Sequence, residues 1–258
     1  MKKDLSPDER KEVILKQIGD TGRILANVAA IEFGVSEDSI RRDLRELADL
    51  GLVKRFHGGA TRMSSGRRNF QERADEKRPE RKALAAAAAA RIPDKSTMLL
   101  DSSTTVLEFV RAIPDGLQVC IMTGTPEIAS AALDRNNGEV ILIGGTLNPL
   151  TRSTVGASAL AAIQSSRLDI CVLGACAIDS DLVLRAENYD DAYLKTAMGA
   201  ACTEIIVLAS SDKLAKQANF AIGPVSMITT LFTDEEADKS VLQRIRDEGV
   251  EVIVVERG

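Results

Sequence analysis

The sequence predicts an α/β protein in two parts: a small, mainly helical unit closed by a basic hairpin, then a larger unit of alternating strands and helices. Three observations carry that prediction. Residues 1–82 hold 19 Lys and Arg against 15 Asp and Glu, whereas the rest of the chain holds 14 against 23. A sign change of this kind separates modules that face different partners. Helical periods with cap residues fill the first part, and from Thr97 onward runs of branched residues alternate with helical stretches.

The totals set the bounds. A chain of 258 residues with 45% apolar content can bury more than one core. It has no 18-residue apolar run, so no membrane span is expected, and its polar opening "MKKDLSPDER" is unlike a secretory leader. Cys120, Cys171, Cys176 and Cys202 lie singly in apolar surroundings, without the paired spacing of a zinc or redox site. They are read as reduced core residues of a cytoplasmic protein that uses neither a metal nor a cofactor.

In "SPDERKEVILKQIGD", Ser6 supplies a cap, Pro7 a first-turn proline and Glu9 the far side of a capping box. The run "ILANVAAIEF" reads as a second helix ending at Gly34. Ser36 then caps a third, with Glu37 and Asp38 near its positive end and Gly51 as a stop. Ile40, Leu44 and Leu47 form a core-facing stripe in it, and Arg41, Arg42 and Arg45 fall on the opposite face. Asp43, Glu46 and Asp49 could pair with those arginines along the helix. Beyond it, "LVKRFHGGATR" mixes strand formers with Lys54, Arg55 and Arg62, and Gly58-Gly59 offers a hairpin turn. Three short helices and a basic hairpin describe a winged helix-turn-helix, whose third helix enters the DNA major groove. A charged helical face is also, by itself, ordinary solvated surface.

The stretch "VSEDSIRRDLRELADLGLVKRFHGGA" closely resembles the DNA-binding signature of the DeoR family of bacterial transcriptional regulators. The resemblance implies that Ser36, Ser39, Arg41, Arg42 and Arg45 approach DNA, with Lys54, Arg55 and His57 in or near the wing. Arginine suits bidentate recognition of guanine, while hydroxyls more often hold phosphates. His57 has two readings, a DNA contact or a bond to the glycine turn.

The first domain is thus placed at residues 1–62 and a polar linker at 63–82, partly helical from Asn69 onward. An α/β effector-sensing domain follows at 83–258. "ALAAAAAARI" has extreme helix propensity and small side chains suited to docking on that second module, with Pro93 ending it. Strands are read at "TMLLD", "LQVCIM", "EVILIGG", "DICVLG", "EIIVLAS" and "VEVIVVE". Helices are read between them, among them "STVGASALAAIQ" and "DAYLKTAMGAA". The alternation implies a mostly parallel sheet covered on both faces, with ligands beyond the carboxyl ends of its strands.

At the first such end, "LLDSSTTVLEF", hydroxyls and free amides at a helix start make a phosphate cradle. The same cluster also makes an ordinary cap. Other strand ends add Thr123, Gly124, Thr125, Gly144, Gly145, Gly174 and Asp179, with Lys195 and Lys213 as countercharges. This module resembles the DeoR sensor domain, which looks like the fold of ribose-phosphate isomerases and binds phosphorylated sugars. By that resemblance Asp101, Ser102, Ser103, Thr104 and Thr105 hold the phosphate, Thr123, Gly144 and Gly145 wall the pocket, and Lys195 and Lys213 face it.

The chain also departs from the family pattern. Ser103 stands where glycine is usual, and Gly124 and Cys176 where asparagine is frequent. "VLRAENYDDAYLK" replaces a glycine-x-threonine-threonine stretch, with Arg185 and Ala186 in the threonine slots. Two readings follow: an altered effector held by Arg185, or a pocket without a ligand.

The function expected is a sequence-specific repressor without catalytic residues, binding double-stranded operator DNA under control of a phosphorylated sugar. It is expected to be a homodimer or homotetramer in the bacterial cytoplasm, with no membrane partner. The rival is a sugar-phosphate isomerase-like enzyme with a DNA-binding head, its proton transfer assigned to carboxylates such as Asp101, Asp179 or Glu187. A third class is a DNA-bound regulator with no effector.

Overall fold

The computed structural model describes residues 5–50, 52–62, 70, 74, 79–135, 138–175 and 177–256, the side chains of residues 19, 20, 54 and 62 excepted. The chain divides into two compact units, Met1–Arg68 and Asn69–Gly258. The division falls inside the segment read as a linker, most of which lies outside the described residues. So do Gly51, Cys176 and the side chains of Lys54 and Arg62.

In the first unit, helix α1 (Pro7–Thr21) starts on the full Ser6/Glu9 capping box and stops at Gly22, whose φ of 80° is left-handed. Strand β1 (Arg23–Leu25), α2 (Ala26–Phe33) and α3 (Glu37–Asp49) follow. Ile24 and Leu25 therefore begin a strand and not the second helix: β1 pairs antiparallel with β3 (Gly59–Arg62), which pairs with β2 (Val53–Phe56). The hairpin turn is His57–Gly58, one residue before the Gly58-Gly59 pair expected, because Gly59 already belongs to β3. That glycine is required there, since a Cβ would lie 2.1 Å from the Ile24 carbonyl oxygen. Ile14, Ile18, Ile40, Leu44, Leu47 and Val53 form the unit's core.

The second unit is built on a seven-stranded parallel sheet. Its strands are β4 (Thr97–Leu100), β5 (Cys120–Thr123), β6 (Val140–Leu142), β9 (Leu168–Gly174), β12 (Cys202–Leu208), β14 (Thr230–Asp234) and β15 (Glu251–Val255), in the order β15-β14-β12-β9-β4-β5-β6. Alternate residues feed opposite cores. Leu99, Cys171, Leu173 and Val207 face one layer, and Met98, Leu100, Val172 and Leu208 the other. Helices α4 (Pro79–Ala89), α5 (Thr104–Ala112) and α6 (Pro126–Arg135) cover the second layer. Helices α7 (Ala157–Gln164), α8 (Tyr189–Ala201) and α9 (Lys239–Asp247) cover the first. The alanine-rich α4 begins within the segment read as linker and buries Leu84, Ala85, Ala88 and Ala89.

Three features depart from the sequence reading. Strand β14, buried along its whole length, was not anticipated. Ser153–Val155 is strand β8, paired antiparallel with β7 (Thr146–Asn148), and not the start of a helix: Gly156, at φ 97°, delays the helix to Ala157. A second small antiparallel sheet, β10 (Ala177–Ile178), β11 (Val183–Ala186) and β13 (Phe220–Pro224), places Arg185.

Candidate functional site

Two surfaces bring the named residues together, one in each unit. In the first, Ser36 caps α3 by accepting from the Ser39 amide at 3.2 Å, and the two hydroxyls bond at 2.9 Å. Ile40, Leu44 and Leu47 are buried while Arg41, Arg42 and Arg45 are exposed, so the helix shows its guanidinium groups to solvent. Arg41 is held by Glu37 at 2.7 Å and faces Asp38 at 3.8 Å. Arg42 and Arg45 form no ion pair with another described residue, which leaves their donors available. Asp43 does not pair with the helix's own arginines. It points inward and receives the Arg10 guanidinium from α1 at 2.6 and 3.1 Å, while Glu46 accepts from Lys11 at 2.9 Å. Arg55 and His57 are exposed on the wing. His57 lies in the turn itself, and its imidazole makes no bond to the turn glycines.

In the second unit, the sheet order reverses between β4 and β9, and ligands in such sheets bind at that point. Asp101 leaves β4 there and is buried. One of its carboxylate oxygens accepts from the Ser103 amide at 2.8 Å and the other from the Gly174 amide at 3.0 Å. Lys195 of α8, also buried, lies 3.0 Å from Asp101 and 3.2 Å from Asp191, and donates to the Gly174 carbonyl at 3.3 Å. Burial pushes the Asp101 carboxyl up, with Lys195 pulling the other way and Asp191 adding to the rise. Gly174 cannot be larger, because a Cβ would fall 2.0 Å from the Ser103 hydroxyl.

Asp101 and Lys195 wall a cleft, open to solvent, together with Ser102, Gly124, Ser153, Thr154, Asp191 and apolar groups such as Leu194 and Met198. Of the effector residues read from sequence, Asp101, Ser102 and Lys195 line it. Ser103 caps α5 through the Val106 amide at 3.0 Å, and Thr104 and Thr105 form its first turn. Thr123 is fully buried, donating to the Leu100 carbonyl and accepting from the Thr125 amide.

The remaining residues stand away from this cleft. Gly144 and Gly145 sit exposed before β7 and do not line the cleft. Lys213, in the short 3₁₀ turn Ser211–Lys213, pairs with its neighbour Asp212 at 3.1 Å. Arg185 does not enter the cleft either: it is tied to Asp179. Although burial pushes the Asp179 carboxyl up, Arg185 and the Val183 amide hold it below the ordinary carboxylate range.

Asp191 and Thr154 escaped the sequence reading. Asp191 was legible as the i−4 partner of Lys195 on a helix. Thr154 was not, because its strand was taken for a helix.

The comparisons with known proteins agree with this division. The DeoR-like helix-turn-helix domain model matches residues 10–66 and the DeoR C terminal sensor domain model residues 76–235. The HTH-type transcriptional repressor CsqR of Escherichia coli (strain K12) is 32% identical over 252 residues, 97% of each chain. The glycerol-3-phosphate regulon repressor of the same organism is 28% identical over 245 residues, 95% of this chain and 97% of that one. Among solved structures, ribose 5-phosphate isomerase A from Methanocaldococcus jannaschii aligns with 52% of this chain and 53% of its own at a TM-score of 0.39 and 16% identity. With the sensor model alone spanning more than half the chain, and the DNA-binding model ahead of it, this protein belongs to the DeoR family of transcriptional regulators.

Proposed function

We propose that the chain represses its target genes by binding operator DNA through α3 and the wing, and that a phosphorylated sugar or sugar derivative in the β4–β9 cleft changes that affinity. Arg42 and Arg45 reach base edges, while the Ser36/Ser39 helix start, Lys54, Arg55 and His57 contact the backbone. In the cleft, Asp101, Ser102 and Asp191 hold the ligand's hydroxyls, and Lys195 holds the two carboxylates in place. Its phosphoryl group lies at the first amides of α5, those of Thr104 and Thr105, where the helix dipole favours an anion. A homodimer or homotetramer in the bacterial cytoplasm presents paired recognition helices to half-sites about 10 bp apart or a multiple of that.

The observation that carries this reading is the buried Asp101–Lys195 pair, joined by the half-buried Asp191, beside a solvent-open cleft at the sheet's reversal point. A charged cluster so placed fits ligand binding better than a purely apolar core would. The names of the relatives, a glycerol-3-phosphate regulon repressor among them, fit the same ligand class. We assign the cluster to sensing and not to catalysis. Both carboxylates and the Gly174 carbonyl already engage the Lys195 ammonium, and the chain's one histidine is in the wing.

The test is a thermal-shift screen against glycerol 3-phosphate, ribose 5-phosphate and glucose 6-phosphate, followed by operator gel shifts with any compound that binds. A true effector at about 100 times its Kd adds roughly 2.7 kcal/mol to stability and changes operator affinity. Turnover of a sugar phosphate would favour the enzyme reading, and no response to any compound would remove the ligand class.

A further inference from the structure

Among the described residues the buried hydroxyls of Thr125, Thr151, Thr154 and Thr233 lack a hydrogen-bond partner, and of these four residues only Thr154 lines the cleft. Thr154 lies in the middle of β8, whose burial alternates so that it faces inward between the half-buried Ser153 and Val155. Its hydroxyl is buried with no hydrogen-bond partner among the described residues, and Thr154 lines the cleft together with Asp101 and Lys195. Buried hydroxyls are nearly always paired, and an unpaired one is destabilising. The backbone around it is fixed: the Thr154 amide donates to the Gly124 carbonyl at 2.8 Å, and Asn148 holds the hairpin's turn through the Leu150 amide at 2.9 Å. The hydroxyl is therefore held in place with its bonding capacity unused.

Gly124 is the second part of the arrangement. A Cβ there would come within 2.6 Å of the Thr154 hydroxyl and 3.3 Å of the Ser153 hydroxyl. Glycine at this position leaves the Thr154 oxygen clear at the cleft wall. The same cleft is lined by two carboxylates around one ammonium, a net negative group that disfavours a second anion beside it. That position suits an uncharged, hydroxyl-bearing group.

We propose that the β7–β8 hairpin is the specificity element of the effector pocket, with the Thr154 hydroxyl, given room by Gly124, forming a hydrogen bond to a hydroxyl on the ligand's neutral polyol end. The inference rests on the cleft being the effector site and adds the residue that selects hydroxylated over deoxygenated ligands. A site that is built to bond a hydroxyl rejects analogues lacking one, because its own polar group is then left unpaired.

The experiment compares wild type with Thr154→Val, Thr154→Ser and Gly124→Ala. Melting is followed without ligand and with ribose 5-phosphate, 2-deoxyribose 5-phosphate, glucose 6-phosphate and glycerol 3-phosphate. Thr154→Val keeps the shape and removes the unpaired hydroxyl, so the ligand-free protein is expected to melt about 2–4 °C higher. The same variant is expected to bind whichever compound wild type prefers about five- to tenfold more weakly. Thr154→Ser retains wild-type binding, and Gly124→Ala loses it as Thr154→Val does. A ligand-free Thr154→Val protein that melts at or below wild type, or does not fold, overturns the proposal, as does undiminished binding by a folded one. Should no compound shift the wild type, the sugar-phosphate reading fails and the Thr154 assignment with it, whereas a wild-type shift left undiminished in Thr154→Val overturns the Thr154 assignment alone.

Discussion

Arg41, Arg42 and Arg45 occupy one exposed helix face, yet they are not equivalent. Arg41 is engaged by Glu37, and an exposed pair of this kind contributes little stability while turning the guanidinium back along its own helix. Arg42 and Arg45 have no such partner among the described residues, and a bidentate contact to guanine uses the free edge of the guanidinium. Arg42→Ala and Arg45→Ala are each expected to weaken specific operator binding by about 1–3 kcal/mol where they read a base. Arg41→Ala should cost less, and melting temperatures should barely move. Gel shifts with specific and scrambled duplexes check this, and a larger loss for Arg41→Ala than for either other variant would reverse the ranking.

At the scale of elements, α3 is positioned by a buried ion pair as well as by its apolar stripe. The Arg10 and Asp43 side chains are 8% and 5% exposed, and two hydrogen bonds join them. The Asp43 carboxylate raises the already high pKa of Arg10, so the guanidinium stays charged at any ordinary pH. Removing one partner leaves a buried charge uncompensated, at a cost of about 3–5 kcal/mol. Arg10→Ala should therefore destabilise the first unit and abolish operator binding without touching DNA. The double replacement Arg10→Met/Asp43→Leu should regain most of that stability, since a well-packed apolar pair can match a buried ionic one. Chemical denaturation of the three proteins measures this; equal destabilisation by the single and double variants would mean that the pair also does something apolar groups cannot.

For the whole molecule, net charge −5 is a poor guide to the partner. The positive balance is confined to residues 1–82, which carry α3, the wing and the basic segment after it, while the larger part is acidic and has no electrostatic reason to adhere to DNA. Operator affinity should accordingly fall steeply with salt, the slope of log K against log[salt] counting the phosphates neutralised at about 0.9 each. Lys54→Ala and Arg55→Ala should each flatten that slope by about one if they touch phosphate. Binding titrations between 50 and 200 mM salt, a range over which about 6–10 phosphate contacts lose 10³–10⁵ in affinity, read the difference.

Features that depend on neighbours along the chain were legible before folding was considered. The Ser6 and Ser36 caps, the stripe Ile40, Leu44 and Leu47, the exposed arginines and the strand–helix alternation from Thr97 all rest on spacings of a few residues. The strand end at Asp101 was legible for the same reason, and so was Lys195 as a charged residue on a helix. Which of these groups meet depends on how distant segments pack. Asp101 and Lys195 converge because β4 and β9 are adjacent, and Arg10 claims Asp43 across two helices. Arg185 carried the right charge for an anion but is tied to Asp179, and β8, too short to show a period, hid Thr154 within an apparent helix. Local periodicity decides which way a side chain faces; what it faces is decided by chain segments far away in sequence, brought together by the burial of a shared core.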